Sequence, residues 1–359
     1  MEKFGSFQIL SLFKIRNAIF LLLILTLAIS ETGCTVWHTN PFQKEELKTI
    51  PDELLHYYDY PKQLLETVTL KEEVTKEYIH RKVEFPLNLP QDMWIKSRSA
   101  WKQEVAEIRK TDEKEANDRS LQYTNRLDVY LPKQNGKHPA IVISPILGGN
   151  MIVDRFAKYF ARHGYVAIIV NRKKSFLDNS LDMKQVEIYL RTSVMRIRQA
   201  IDWLEMQPEV DPERIGAFGI SYGAILHSII AAIEPRIHYH ILAMPAGNLP
   251  DLIVNCPDKG VKKLVTKLKK SGWTKDKIRN ELKKAIFSDP MRFAPYVPKN
   301  RTVVMVALFD RIVGAHRTFA LWKVMGRPKL KLIPLGHYGG LLVFPYLEFT
   351  SLHLFSAHL

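Results

Sequence analysis

The chain has 359 residues, 46% of them hydrophobic, enough to bury a sizeable core in one large domain or two smaller ones. This composition excludes collagen-like, low-complexity and broadly disordered classes, and two cysteines, Cys34 and Cys256, leave no room for a disulfide framework or a cysteine-rich metal site. The net charge of +15 is concentrated: Lys259 to Lys284 holds eleven Lys/Arg against two acids, a local net of +9.

Lys3, Lys14 and Arg16 precede "AIFLLLILTLAI", an uncharged apolar run from Ala18 to Ile29. Twelve residues are short for a membrane span, which needs about 20, but suit the apolar core of a signal peptide. Thr32, Gly33 and Cys34 follow, a pattern that resembles the bacterial lipoprotein signal, although Glu31 stands where an aliphatic residue is usual. The expectation is a signal peptide over 1–33, lipidation at Cys34, and a body facing outside the cytoplasm in a bacterial cell envelope. An uncleaved N-terminal anchor is the alternative.

Residues 34–75 are polar, carry Pro41, Pro51 and Pro61, and read as a tether leading into short helices. The main domain is expected over 76–359. Alternation in "YIHRKVEF" (78–85) predicts a half-buried strand, the charged stretch 91–119 an exposed helical excursion, and "RLDVYL" (126–131) a second strand. From there strands and helices alternate. "AIVIS" (140–144), "YVAIIV" (165–170), "RIGAFGI" (214–220), "IHYHILAM" (237–244), "TVVMVAL" (302–308) and "KLKLIPL" (329–335) are the strands. Helices are expected at 152–162, 183–206, 222–233, up to Met325, and 338–354. Apolar strands interleaved with amphipathic helices mean a mainly parallel sheet covered on both faces, with the first two strands as an antiparallel edge. Ligands of such sheets bind beyond the carboxyl ends of the strands.

There the sequence places Gly219-Ile220-Ser221-Tyr222-Gly223, a G-x-S-x-G between a strand and a helix. This setting forces a nucleophilic serine into an unfavourable backbone conformation and exposes it at a helix N-terminus. A serine hydroxyl needs a base, and the expected chain order is Ser, acid, His. Asp310 follows "TVVMVALF" and His337 lies in "PLGHYGG" after the last strand. Asp310 would fix the imidazole tautomer and stabilise its positive charge. His227, His316, His238, His240, His353 and His358 lie within elements or at the chain end. An oxyanion hole is expected from the Tyr222 N–H and one donor of "SPILGGN" (144–150), Leu147 first and Ile146 as the alternative.

"GAFGISYGA", "LFDRIV" and "GHY" together resemble the α/β-hydrolase superfamily over about residues 120–359, in the tone of its dienelactone hydrolase, acetyl-xylan esterase and prolyl-oligopeptidase-like branches. The resemblance implies an eight-stranded sheet, a Ser221-Asp310-His337 triad and acyl transfer with neither metal nor organic cofactor. "PILGG" departs from the His-Gly oxyanion loop of lipases. The basic segment would then belong to a small helical cap, inserted at about 250–298. Val261, Leu264, Val265 and Leu268, like Ile278, Leu282 and Ile286, recur at helical spacing on either side of "SGWT". A helical pair that merely packs on the domain is the alternative.

The expected function is a carboxylesterase-like serine hydrolase acting on a small-molecule or lipid-like acyl substrate, held at a membrane and without a nucleic-acid partner. A peptidase, a thioesterase and a non-catalytic envelope protein binding through its basic cap are the competing readings.

Overall fold

The computed structural model describes residues 35–36, 48–62, 66–93, 124–147, 149–172, 183–339 and 344–359. The apolar N-terminal run, Cys34, the charged stretch from 94 to 119 and Gly148 lie outside the described residues. The chain divides into two units, Met1–Trp37 and His38–Leu359. Of the first, only the two-residue strand Thr35–Val36 is described. Among the described residues no helix is long and apolar enough to cross a membrane.

The second unit carries, in chain order, α1 (Asp52–His56), β1 (Val68–Val74), β2 (Tyr78–Pro86), β3 (Thr124–Pro132), β4 (His138–Ser144), α2 (Met151–Arg162), β5 (Val166–Val170), α3 (Met183–Glu205), β6 (Val210–Ile220) and α4 (Tyr222–Ile233). It continues with β7 (Tyr239–Ala243), α5 (Leu249–Asn255), α6 (Lys259–Lys270), α7 (Lys275–Ala285), α8 (Pro290–Phe293), β8 (Thr302–Ala307), α9 (Ala315–Val324), β9 (Lys329–Ile333) and α10 (Phe344–Ser356). The strand order of this unit is β9-β8-β7-β6-β4-β5-β3-β2-β1. From β9 to β5 all neighbours are parallel, whereas β3 joins β5 antiparallel and β2 and β1 extend that edge antiparallel.

The pleat sorts the apolar strand residues between two layers. On β4, Ala140 and Val142 join the core beneath α3 and α4, and Ile141 and Ile143 join the core formed with α2 and α10. A third cluster packs Leu321 and Trp322 of α9 against Val304 and Val306 of β8 and Ala224 of α4. Continuous apolar runs in the sequence thus reflect burial on both faces, as parallel strands require.

Two expectations need correcting. Residues 68–74, taken as tether, form an edge strand beyond the expected eight, paired with β2. The stretch "YYDY" (57–60) is not a free lead either. Tyr58 is buried and its hydroxyl donates to Ser288 Oγ at 2.8 Å, while those of Tyr57 and Tyr60 donate to Glu187 and Asp202 of α3 at 2.7 and 2.6 Å. Their burial follows from being amphipathic: each ring packs and each hydroxyl finds an acceptor.

The insertion between β7 and β8 is helical as expected. Asp258 caps α6 by accepting from Gly260 N and Val261 N, and Thr274 caps α7 by accepting from Lys277 N. Val261, Val265 and Leu268 of α6 and Ile278 and Leu282 of α7 are buried, so the lysines are left on the outer faces. Asp289 ties the two ends of the insertion together, accepting from Asn248 N at 2.9 Å and Leu249 N at 2.7 Å.

Candidate active site

The parallel register aligns Ser144 with Gly219, Ile220 with Ala243, and Ala307 with Ile333. Residues just beyond these strands therefore meet at one edge of the sheet. Ser221 occupies the single position between β6 and α4, with φ 54° and ψ −118°. A side chain in that region of backbone space is strained, by about 1–3 kcal/mol. The surroundings enforce it: Ser221 N donates to Ala243 O at 2.8 Å, and Ile225 N to Ser221 O at 3.0 Å. The flanking glycines are sterically required. A Cβ on Gly219 would lie 2.7 Å from Ala224 N, and one on Gly223 would lie 2.5 Å from Ser144 O.

The three residues expected to act together are together. Ser221 Oγ lies 3.1 Å from His337 Nε2, and His337 Nδ1 lies 2.8 Å from Asp310 Oδ2. A carboxylate only accepts, so Nδ1 carries the proton and Nε2 is left to accept from the serine hydroxyl. Burial would raise the Asp310 carboxyl, but the hydrogen bond and charge of His337, with the N–H groups of Ile312 and Val313 at 2.8 and 3.0 Å, hold it below the usual carboxylate range. It stays ionised at neutral pH and so keeps the imidazole oriented.

Tyr222, the first residue of α4, brings its N–H to the positive end of that helix. Its phenol is buried, which pushes the hydroxyl well above its ordinary pKa. Leu147 and Ile146 line the same cavity as Ser221 and His337. The sequence did not single out the residue that holds this loop. Arg172, two residues beyond β5, is buried and donates from Nη2 to Ile146 O at 2.6 Å and Leu147 O at 2.9 Å. Its Nη1 donates to Tyr189 OH at 2.9 Å, and its guanidinium lies 5.4 Å from the centre of the Tyr222 ring. The arginine thus joins both expected oxyanion residues. The only sequence signal was its place at the carboxyl edge of the sheet.

The other histidines lie elsewhere. His227 on α4 and His240 on β7 are wholly buried, with no hydrogen-bond partner on either ring among the described residues.

Many solved structures resemble this chain. An acetyl xylan esterase from Paenibacillus sp. R4 superimposes with a TM-score of 0.59 at 15% identity, covering 88% of this chain and 97% of that one. Acetyl xylan esterase 1 from Thermoanaerobacterium sp. JW/SL YS485 gives 0.56 at 14% identity, covering 83% and 93%. The chain has the α/β-hydrolase fold. Within this fold, residues 125–253 match the model of the X-Pro dipeptidyl-peptidase (S15) family. The match includes Ser221 but stops short of Asp310 and His337. An uncharacterized protein of Mycobacterium tuberculosis is 27% identical over 153 residues, 41% of this chain. The alignment spans 33% of that relative's length.

Proposed function

We propose that the protein is a serine hydrolase that cleaves carboxylic esters through an acyl-enzyme. The observation that carries the reading is the hydrogen-bonded series from the strained Ser221 through His337 Nε2 and Nδ1 to Asp310. Ser221 Oγ attacks the acyl carbonyl while His337 takes its proton. The oxyanion is held by the N–H groups of Tyr222 and Leu147, each contributing about 3 kcal/mol of transition-state stabilisation. Collapse of the tetrahedral intermediate breaks the bond to the alkoxide, which leaves with the proton from His337. Water, deprotonated by His337, then attacks the acyl-enzyme, and Ser221 departs with that proton restored.

A fluorophosphonate probe tests the nucleophile. The folded chain should be labelled at Ser221, and Ser221→Ala should be unlabelled with kcat lower by about 10⁵-fold or more. A folded wild-type chain that resists the probe would overturn the assignment. The S15 match favours a second reading, a peptidase. Xaa-Pro p-nitroanilides assayed beside p-nitrophenyl esters separate the two, and turnover of the anilides alone would replace the ester reading.

We also propose that Cys34 anchors the chain to a bacterial envelope membrane, on the apolar run and the Thr32-Gly33-Cys34 pattern. Metabolic labelling with an alkyne fatty acid should mark the chain and fail on Cys34→Ser. Equal labelling of the two, or none, would rule the anchor out.

A further inference from the structure

The cavity beside Ser221 has walls whose chemistry bears on which acyl group the serine receives. It measures about 150 Å³ and is lined by Ser221 and His337 together with residues of α3, α4, α5, α6 and the loops that follow β4 and β8, among others. Its aliphatic walls include Leu190 of α3, Ile225 of α4, Leu252 and Ile253 of α5, Val261 of α6 and Val313. Beyond Ser221 and His337, the polar side chains among the walls are Asp258, whose carboxylate accepts from Gly260 N and Val261 N, Cys256, whose thiol faces Ile312 O at 3.8 Å, and two tyrosines, Tyr222 with a buried phenol and Tyr338 with an exposed one; the remaining walls are aliphatic. A sugar hydroxyl placed here would lose its water and gain little in exchange, at about 1–3 kcal/mol for each unsatisfied group. A cavity of this volume walled by Leu and Ile is large enough for a six-carbon ring such as benzene. An acetyl group would leave most of its walls without contacts.

We infer that the site selects an aliphatic acyl group of about six carbons, seated against side chains of α5 and α6, rather than the acetyl group named for its structural neighbours. This inference rests on the ester reading above. The acyl half is assigned to this cavity because it must stay covalently held through deacylation, whereas the alcohol has to leave for solvent. The insertion between β7 and β8 then sets specificity: without Leu252, Ile253 and Val261 the chain would lie in water.

The test is a series of p-nitrophenyl esters from acetate to laurate on the full chain. Each buried methylene should raise kcat/KM about fourfold, so hexanoate, with four more methylenes, should exceed acetate by about 250-fold, with decline for chains longer than the cavity holds. Ile225→Trp, which fills the cavity from α4, should lower the hexanoate-to-acetate ratio at least tenfold. Leu252→Ala, which enlarges it, should move the optimum to longer chains. The wild-type series decides even if either variant fails to fold. Fluorophosphonate labelling of Ser221 with acetate as the best ester, or hexyl acetate turned over faster than p-nitrophenyl hexanoate, overturns the inference and leaves the hydrolase intact. Neither labelling nor turnover of any ester overturns both.

Discussion

Arg172 joins Ile146, Leu147, Tyr189 and Tyr222 without itself lining the cavity, so its effect on catalysis runs through the loop it holds. Arg172→Met removes the donors to two carbonyls and frees the Leu147 N–H to wander from the position an oxyanion would occupy. Loss of one oxyanion donor outright costs about 10²–10³ in kcat, so loss of its positioning should cost about 10- to 100-fold, with KM within a few-fold. Arg172→Lys, retaining one donor group, should recover part of that loss. The measurement is kcat against KM on one ester, alongside the melting temperature. A variant that melts earlier yet turns over normally while folded would reduce the arginine to a structural role. The contrast with Ser221, Asp310 and His337 explains what was legible. Those three residue types have fixed chemistry, a fixed chain order and strand ends to mark them. Arg172 acts on carbonyls 25 and 26 residues earlier in the chain, and backbone acceptors leave no mark in a sequence.

Elements announced themselves in proportion to how much of them is buried. The strands from β4 to β9 stand out as apolar runs, and α6 and α7 follow from apolar residues at helical spacing with the "SGWT" connection between them. The edge strand β1 did not: every residue of "VTLKEEV" is exposed, so no face alternates. Its lysine and acidic side chains suit that place, since charge on an edge strand discourages pairing with another chain. β6 begins at Val210, earlier than its apolar portion, because Val210 pairs with His138 before the ladder shifts register at Ala140. The "YYDY" segment was hidden by polar company and flanking prolines, although its hydroxyls secure residues 57–60 to α3 and to Ser288. Burial of alternate residues is visible in one dimension, while a partner over a hundred residues away is not.

At the scale of the molecule, His227 and His240 make stability depend on pH. They lie wholly buried on the facing elements α4 and β7, and burial lowers both imidazoles from an ordinary value of 6.5 to about 3. For His240 the neighbouring charges of His227, Arg301 and His238 act in the same direction. Below pH 6.5 the unfolded chain binds a proton at each ring that the folded chain refuses, so protonation favours unfolding. Stability is unaffected by these rings above pH 6.5 and falls as pH drops from there toward 3, by up to about 1.4 kcal/mol per pH unit for each. Between pH 7 and 5 each ring should remove about 2 kcal/mol, a large part of the 5–15 kcal/mol typical of a folded domain. The net charge of +15 sharpens the effect, because each further proton adds to self-repulsion. Urea unfolding at pH 7.5, 6 and 5 should show the midpoint falling steeply on the acid side, and His227→Leu with His240→Leu should remove most of that slope. If wild-type and double-variant midpoints fall in parallel, the two rings are not the source, and the acid sensitivity belongs to the carboxylates, Asp310 among them.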